Sequence, residues 1–358
     1  MILFLRKFDW VLLGVALAIL ALSVGAFYQS GARADQVVAR QLAVALLGAA
    51  AALVVSLFDY RIFKNNSLPS IFVYLLSILF LAMALASSAV RGSHSWVFVA
   101  GYGFQPSEFA KLALLILLAK YFSQKHVQIY RTHHILASGV YAAIPAALTL
   151  VQPDFGSMMV FAALWLAMLL FSGIKRRHLL TILMLGLIIF SFAWFLAFKP
   201  YQKSRIISFI NPYLDPRGIG YSAIQAQTTF GSGRLLGAVF DKESDSLAVL
   251  VPEHYTDFAF ATFGQKFGFG GILLLVLLLA VLVSRISSIA LRTNNNFARL
   301  FCLGLITLIF THVFLNAGMN LGILPITGIP FSFLSYGGSH LITLMVGLGL
   351  VESIRVRG

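Results

Sequence analysis

The chain predicts an all-α membrane protein, a bundle of ten transmembrane helices with one long extracytoplasmic loop between helices 7 and 8. Three observations carry that prediction. Of 358 residues, 59% are hydrophobic and only 11% charged, too few charges to coat a water-soluble domain. The apolar residues gather into runs long enough to cross a bilayer, whose hydrocarbon core of roughly 30 Å takes about 20 residues of helix. The basic residues, finally, are distributed as topology requires and not as a patch.

The apolar runs fall near residues 10–29, 40–58, 68–90, 106–123, 135–151, 156–173, 178–198, 258–284, 298–318 and 338–354. The first is too long for a signal-peptide core and has no small-residue cleavage site, so it reads as a span. A formal charge of +14 would point to nucleic acid in a soluble protein. With the N-terminus taken as cytoplasmic, however, the inner segments hold 15 of the 26 Lys and Arg: Arg6, Lys7, Arg61, Lys64, Lys120, Lys125, Arg131, Lys175, Arg176, Arg177, Arg285, Arg292, Arg299, Arg355 and Arg357. The short outer loops hold only Arg33, Arg40 and Arg91. That bias predicts a multi-pass plasma-membrane protein with both termini cytoplasmic, and no nucleic-acid partner. Cys302 is the sole cysteine, so neither a disulfide framework nor a thiolate metal site is available within one chain. Residues 1–358 read as a single polytopic domain, with residues 199–257 as a loop inside it.

In chain order, the first three runs carry little chemistry. Before the fourth, Gln105-Pro106-Ser107-Glu108 opens a helix with proline in its first turn, where a missing N–H is no loss. Glu108 then sits at the positive end of the helix dipole, and Lys111 lies three residues on, along the same face. The plain alternative is a self-neutralising pair with Lys111 snorkelling toward headgroups. At Gln152-Pro153-Asp154-Phe155-Gly156, Asp154 either caps the next helix or joins an outer polar site.

The loop 199–257 is the one long connection, and loops of that length are functional or carry helices of their own. It contains Arg205, Asp215-Pro216-Arg217, a candidate helix from Tyr221 to Thr229, and Gly231-Ser-Gly233, which reads as a plain turn. It ends on Pro252-Glu253-His254-Tyr255-Thr256-Asp257, which puts a carboxylate at the mouth of an apolar helix. Such a group costs several kcal/mol unless wet or paired, which makes Asp257 the first functional candidate. Beyond it, Asn316-Ala-Gly-Met-Asn320, Leu324-Pro325-Ile-Thr-Gly328-Ile-Pro330 and Ser335-Tyr-Gly-Gly338 interrupt apolar sequence, as backbone lining a cavity does.

Together Gln105-Pro106-Ser107-Glu108-x-x-Lys111, Gln152-Pro153-Asp154-x-Gly156, Asp215-Pro216, Gly231-Ser-Gly233, Pro252-Glu253-x-x-Thr256-Asp257-Phe258 and the 324–338 stretch resemble the shape, elongation, division and sporulation (SEDS) family over most of the chain. Short termini place it nearer the elongation members than the division members. The resemblance implies a peptidoglycan glycosyltransferase that polymerises lipid II on the outer face of the bacterial plasma membrane, working with a class B penicillin-binding protein transpeptidase. It puts the family's essential aspartate on Asp257 and its intramembrane Glu and Lys on Glu108 and Lys111; substrate contacts are expected from these two and from Arg205, Asp154, Glu253, Thr256 and Ser335.

Some positions depart from the family pattern. Tyr255 stands where the family usually has His, Gln265 and Lys266 replace a pair of glutamates, and Arg234, Ser332 and His340 replace a Gly, a Pro and a Ser. Sugar transfer from a lipid diphosphate needs a base for the acceptor hydroxyl and positive charge for the leaving group. Asp257 is the candidate base, and Lys111 and Arg205 are candidates for the diphosphate. No tightly bound cofactor is expected; a divalent cation, Mg or Mn, is the one candidate. The competing class is a lipid II flippase, which broken helices and an ion-paired intramembrane site would also suit.

Overall fold

The computed structural model describes residues 7–28, 34–87, 93–99, 102–125, 132–196, 198, 200–216, 218–238 and 251–358. Arg6, Arg33, Arg91, Arg131 and Arg217 of the charge and loop readings, and positions 239–250 of the long loop, lie outside the described residues. Among the described residues ten helices of 17 residues or more coincide with the ten apolar runs. They are α1 (Trp10–Phe27), α2 (Ala34–Leu57), α3 (Leu68–Leu85), α4 (Pro106–Lys125), α5 (Thr132–Val151), α6 (Phe155–Phe171), α7 (Arg176–Leu196), α10 (Ala259–Arg292), α11 (Asn296–Asn320) and α12 (Gly338–Arg357). Two shorter helices, α8 (Pro200–Ile210) and α9 (Ile219–Ser232), occupy the long loop, the second overlapping the helix expected at Tyr221–Thr229. A two-stranded antiparallel ribbon, β1 (Val97–Val99) and β2 (Tyr102–Phe104), leads into α4.

Eight of these helices are long and apolar enough to cross a membrane. The exceptions are α6, at 17 residues, and α4, which carries Glu108, Lys111 and Lys120. The charges of α4 follow from its position. Every side chain from Ala110 to Lys120 is buried, and the helix packs against α3, α5, α6, α11 and α12. A helix covered on all sides does not meet lipid, so its charges must find partners inside the protein. Lys111, with no exposed surface, therefore does not snorkel to headgroups. In contrast, α7 leaves Leu180, Leu183, Leu187, Ile188, Phe192 and Phe195 exposed, an apolar surface suited to acyl chains.

Side-chain caps set several helix starts. Asp9 Oδ1 accepts from the Leu12 N–H at 3.3 Å, Asp154 Oδ1 from Ser157 at 2.9 Å, and Asn295 Oδ1 from Phe297 at 3.1 Å. The run expected as one span near 258–284 is a 34-residue helix bent at Gly268, whose φ of 62° and ψ of −165° lie outside helical geometry. Such a bend strands main-chain groups, and the long loop takes them up. The Ala238 N–H donates to Gln265 O at 2.9 Å, while the Phe269 and Gly270 N–H groups donate to Arg234 O at 3.0 Å and Leu235 O at 3.1 Å. Gly231-Ser-Gly233, read from the sequence as a plain turn, instead closes α9, with Ser232 its last residue and Gly233 its C-cap, and the turn that follows delivers residues 234–238 to the bend. This docking fixes the N-terminal segment of α10, just after Asp257.

Candidate active site

The site is built on residues 324–336, the non-helical stretch joining α11 to α12. The Asp257 turn bonds to it, Gly156 beside Asp154 lies against it, and Arg205 lines a groove with its first residues, while His312 of the α4 cluster reaches Pro330 O. Asp257 ends a compact turn closed on the Glu253 carbonyl, which accepts from the Thr256 N–H at 3.0 Å and the Phe258 N–H at 3.2 Å. Closing that turn puts Glu253 at a φ of 57°, a conformation that costs a non-glycine residue about 1–3 kcal/mol and persists where the surroundings enforce it. The enforcement comes from the 324–336 stretch. Ser335 Oγ donates to Thr256 O at 2.6 Å and accepts from the Phe331 N–H at 2.8 Å, and the Tyr336 N–H donates to Tyr255 O at 2.8 Å. Thr256 Oγ1 donates to the Glu253 carboxylate at 3.2 Å.

Asp257 itself is held by its main-chain carbonyl, which accepts from Asn316 Nδ2 at 2.8 Å and Asn320 Nδ2 at 3.1 Å. Asn316 Nδ2 also donates to Ile329 O at 2.7 Å, so one buried amide joins the turn to the connecting stretch. The half-buried carboxylate lies over Gly328, whose φ of 69° turns the backbone away; a methyl group on that glycine would stand 3.6 Å from Asp257 Oδ2. A half-buried carboxylate fixed from behind can accept a proton without losing its place.

One turn below Asn316 on the same face of α11 is His312, and there the second cluster begins. Glu108 Oε1 accepts from Lys111 Nζ at 2.6 Å, and Glu108 Oε2 lies 2.8 Å from His340 Nδ1. His312 Nε2 is 3.3 Å from Lys111 Nζ, its Nδ1 is 3.1 Å from Pro330 O, and the two imidazoles stack with centroids 4.2 Å apart. All four side chains are buried. Burying an ion costs several kcal/mol, and this network offsets the cost by giving both carboxylate oxygens and the ammonium polar partners. Lys111 is therefore engaged internally, and contact with a diphosphate would require the cluster to open.

The remaining candidates surround the same stretch. Asp154 caps α6, with its Oδ2 buried and without a hydrogen-bond partner among the described residues, and two residues on a side chain on Gly156 would strike the Thr327 carbonyl. Arg205 is half-buried in a groove shared with Gln227 and Leu324 to Ile326. Tyr255, at the usual His position, packs edge-on to Phe27 with centroids 5.3 Å apart, and burial raises its phenol above the ordinary 10.0, which keeps it protonated. Sequence reading missed His312, saw Asn316 and Asn320 only as breaks in apolar sequence, and noted His340 only as standing where the family usually has Ser. The available signal was the spacing 312, 316, 320, which sets three polar side chains on one face of an apolar helix.

Glu108, His312 and His340 form the one group among the described residues close enough to share a metal ion. The Lys111 ammonium already stands against two of the three. Two imidazoles and one carboxylate also differ from the oxygen-rich shell that Mg²⁺ requires. These residues do not fit a resident Mg²⁺ or Mn²⁺ ion.

A family model described as "Cell cycle protein", covering FtsW, RodA and SpoVE, matches residues 1–357. The chain belongs to this family. Among FtsW/RodA/SpoVE relatives, the peptidoglycan glycosyltransferase MrdB of Escherichia coli K12 is 31% identical over 347 residues, covering 97% of this chain and 93% of that protein. The peptidoglycan glycosyltransferase RodA of Treponema pallidum is 29% identical and covers 98% of each chain. Among solved structures, one described as the structural coordination of polymerization and crosslinking by a peptidoglycan synthase complex matches with a TM-score of 0.84 at 29% identity, over 97% of both chains. The rod shape determining protein RodA of Thermus thermophilus matches with a TM-score of 0.71 at 26% identity, over 97% of this chain and 96% of that one.

Proposed function

We propose that this chain is a peptidoglycan glycosyltransferase that polymerises lipid II at the outer face of the plasma membrane. The observation that carries the reading is Asp257: a half-buried carboxylate whose backbone is anchored by Asn316 and Asn320, in a chain of this family. In the reaction, the acceptor hydroxyl attacks the anomeric carbon of the donor while Asp257 takes its proton. The bond from that carbon to the diphosphate breaks with inversion, and the diphosphate leaves with the electron pair. One positioned base suffices for such a displacement. Arg205 supplies positive charge toward the diphosphate, and Glu253, Thr256 and Ser335 hold the turn that presents Asp257.

Ten spans with both termini cytoplasmic complete the topology, which places the Asp257 turn and the long loop outside. A class B penicillin-binding protein transpeptidase is the partner that would crosslink the product. A Mg or Mn ion, where one takes part, arrives with the substrate diphosphate. The flippase alternative is separated by one assay: the purified chain given only lipid II in detergent makes polymer if it is a transferase. Absence of polymer from folded protein, with lipid II moving between leaflets in vesicles, would establish the flippase instead.

A further inference from the structure

The helix that starts at Asp257 ends at a second polar region with no part in the chemistry above. Beyond its bend at Gly268, α10 continues from Phe269 to Arg292 and rises roughly 35 Å at about 1.5 Å per residue, more than the roughly 30 Å of a bilayer core. Its far end therefore emerges at the opposite membrane interface. There the end of α10, the start of α1 and the end of α12 enclose a cavity of about 300 Å³. Lys7, Arg285, Arg292 and Arg355 line it, together with Asp9 and Gly358.

Part of this arrangement is structural. Buried Asp9 caps α1 and accepts from Arg285 Nε at 2.8 Å, and its Oδ2 also pairs with Arg285 Nη2 at 2.5 Å and with Arg355 Nη1. That trio ties three helix ends together. Glu352, buried behind it, accepts the Asp9 N–H at 3.0 Å. Tying the helices accounts for Asp9 but not for the surplus of cations. Neither Lys7 nor Arg292 has an acidic partner among the described residues, and positive groups in the lining outnumber negative ones even with a carboxylate granted to Gly358 and Glu352 counted.

We infer that this cavity binds a phosphate group at the membrane interface opposite Asp257. Asp9 holds two guanidinium groups side by side, so their orientation is set before a ligand arrives. Each remains partly exposed, Arg285 by 37% and Arg355 by 30%, and both line the cavity. Planar N–H forks beside two unpaired cations match the oxygens of a phosphate. The volume lies at the lower end of the roughly 300–1,000 Å³ of small-molecule sites. The phosphate has two sources, the headgroup of an anionic phospholipid or a small soluble phosphate.

The test uses the full chain in neutral detergent, with the thermal unfolding midpoint as readout. Phosphatidylglycerol, phosphatidylcholine and inorganic phosphate are titrated separately into wild type and into the Lys7→Gln, Arg292→Gln double variant, in which the Asp9 trio is intact. Phosphatidylglycerol is expected to raise the midpoint more than phosphatidylcholine does, and the double variant to need roughly thirtyfold more of it. An equal, variant-sensitive shift with inorganic phosphate would support the site and assign its ligand to the soluble source. If the double variant does not fold, Arg292→Gln alone should weaken the response roughly fivefold. Identical phosphatidylglycerol curves for wild type and variants, with no effect of inorganic phosphate, would overturn the inference.

Discussion

Glu108 and Asp257 are both carboxylates at the start of a membrane helix, yet the structure treats them in opposite ways. Glu108 is buried to 2% exposure, and its oxygens are met by Lys111 and His340. Asp257 is half-buried, and what the protein grips with two amides is its main-chain carbonyl. A carboxylate buried to this degree among cationic partners serves architecture. One that is fixed through its backbone keeps its position while its proton count changes, and that is what a general base needs.

Breaking either side of the comparison gives distinct results. Glu108→Gln strands the Lys111 ammonium, and Lys111→Met strands the carboxylate; removing one partner of a buried ion pair costs about 3–5 kcal/mol. The Glu108→Gln, Lys111→Met double variant should lose much less than the sum of the two, because removing both leaves no lone buried charge. Denaturation in detergent measures all three, and additive losses would show that the cluster is not a unit. Asn316→Ala acts on the link between the regions. It leaves Ile329 O without its amide donor at a cost of about 1–3 kcal/mol, and it loosens the Asp257 turn. Displacing a catalytic group by about 1 Å can cost on the order of a hundredfold in rate, so polymerisation should fall well beyond what the stability loss explains. Activity per folded molecule that stays unchanged would remove Asn316 from the positioning role. The smallest effect is expected for His340→Ser, which takes one hydrogen bond from Glu108 and leaves Lys111 in place. Its cost to stability should be about 1–3 kcal/mol, but polymerisation per folded molecule should be retained, which makes its effect on activity the smallest of these.

The two regions also differ in how much of them the sequence disclosed. Helix positions were legible because apolar runs of span length have few other uses, and Glu108 with Lys111 was legible because residues three apart on a helix share a face. His312 and His340 were not, since they reach Glu108 from α11 and α12, more than 200 residues away, by tertiary packing alone. The bend at Gly268 was hidden among several glycines of one apolar run, and only the docking of residues 234–238 distinguishes it. Asp257 stood out from its position at the end of a polar loop, but the amides that hold its carbonyl come from a helix 59 and 63 residues further along.

The central claim is that Asp257 contributes its carboxylate as a base while its backbone holds the site. The direct measurement is lipid II binding and lipid II polymerisation by Asp257→Asn, side by side, on protein whose unfolding midpoint matches wild type. Asparagine keeps the volume and the anchored carbonyl but cannot take the acceptor's proton. Binding should persist while polymer formation falls about a hundredfold to ten-thousandfold. Near-normal polymer yield from the folded variant would contradict the account.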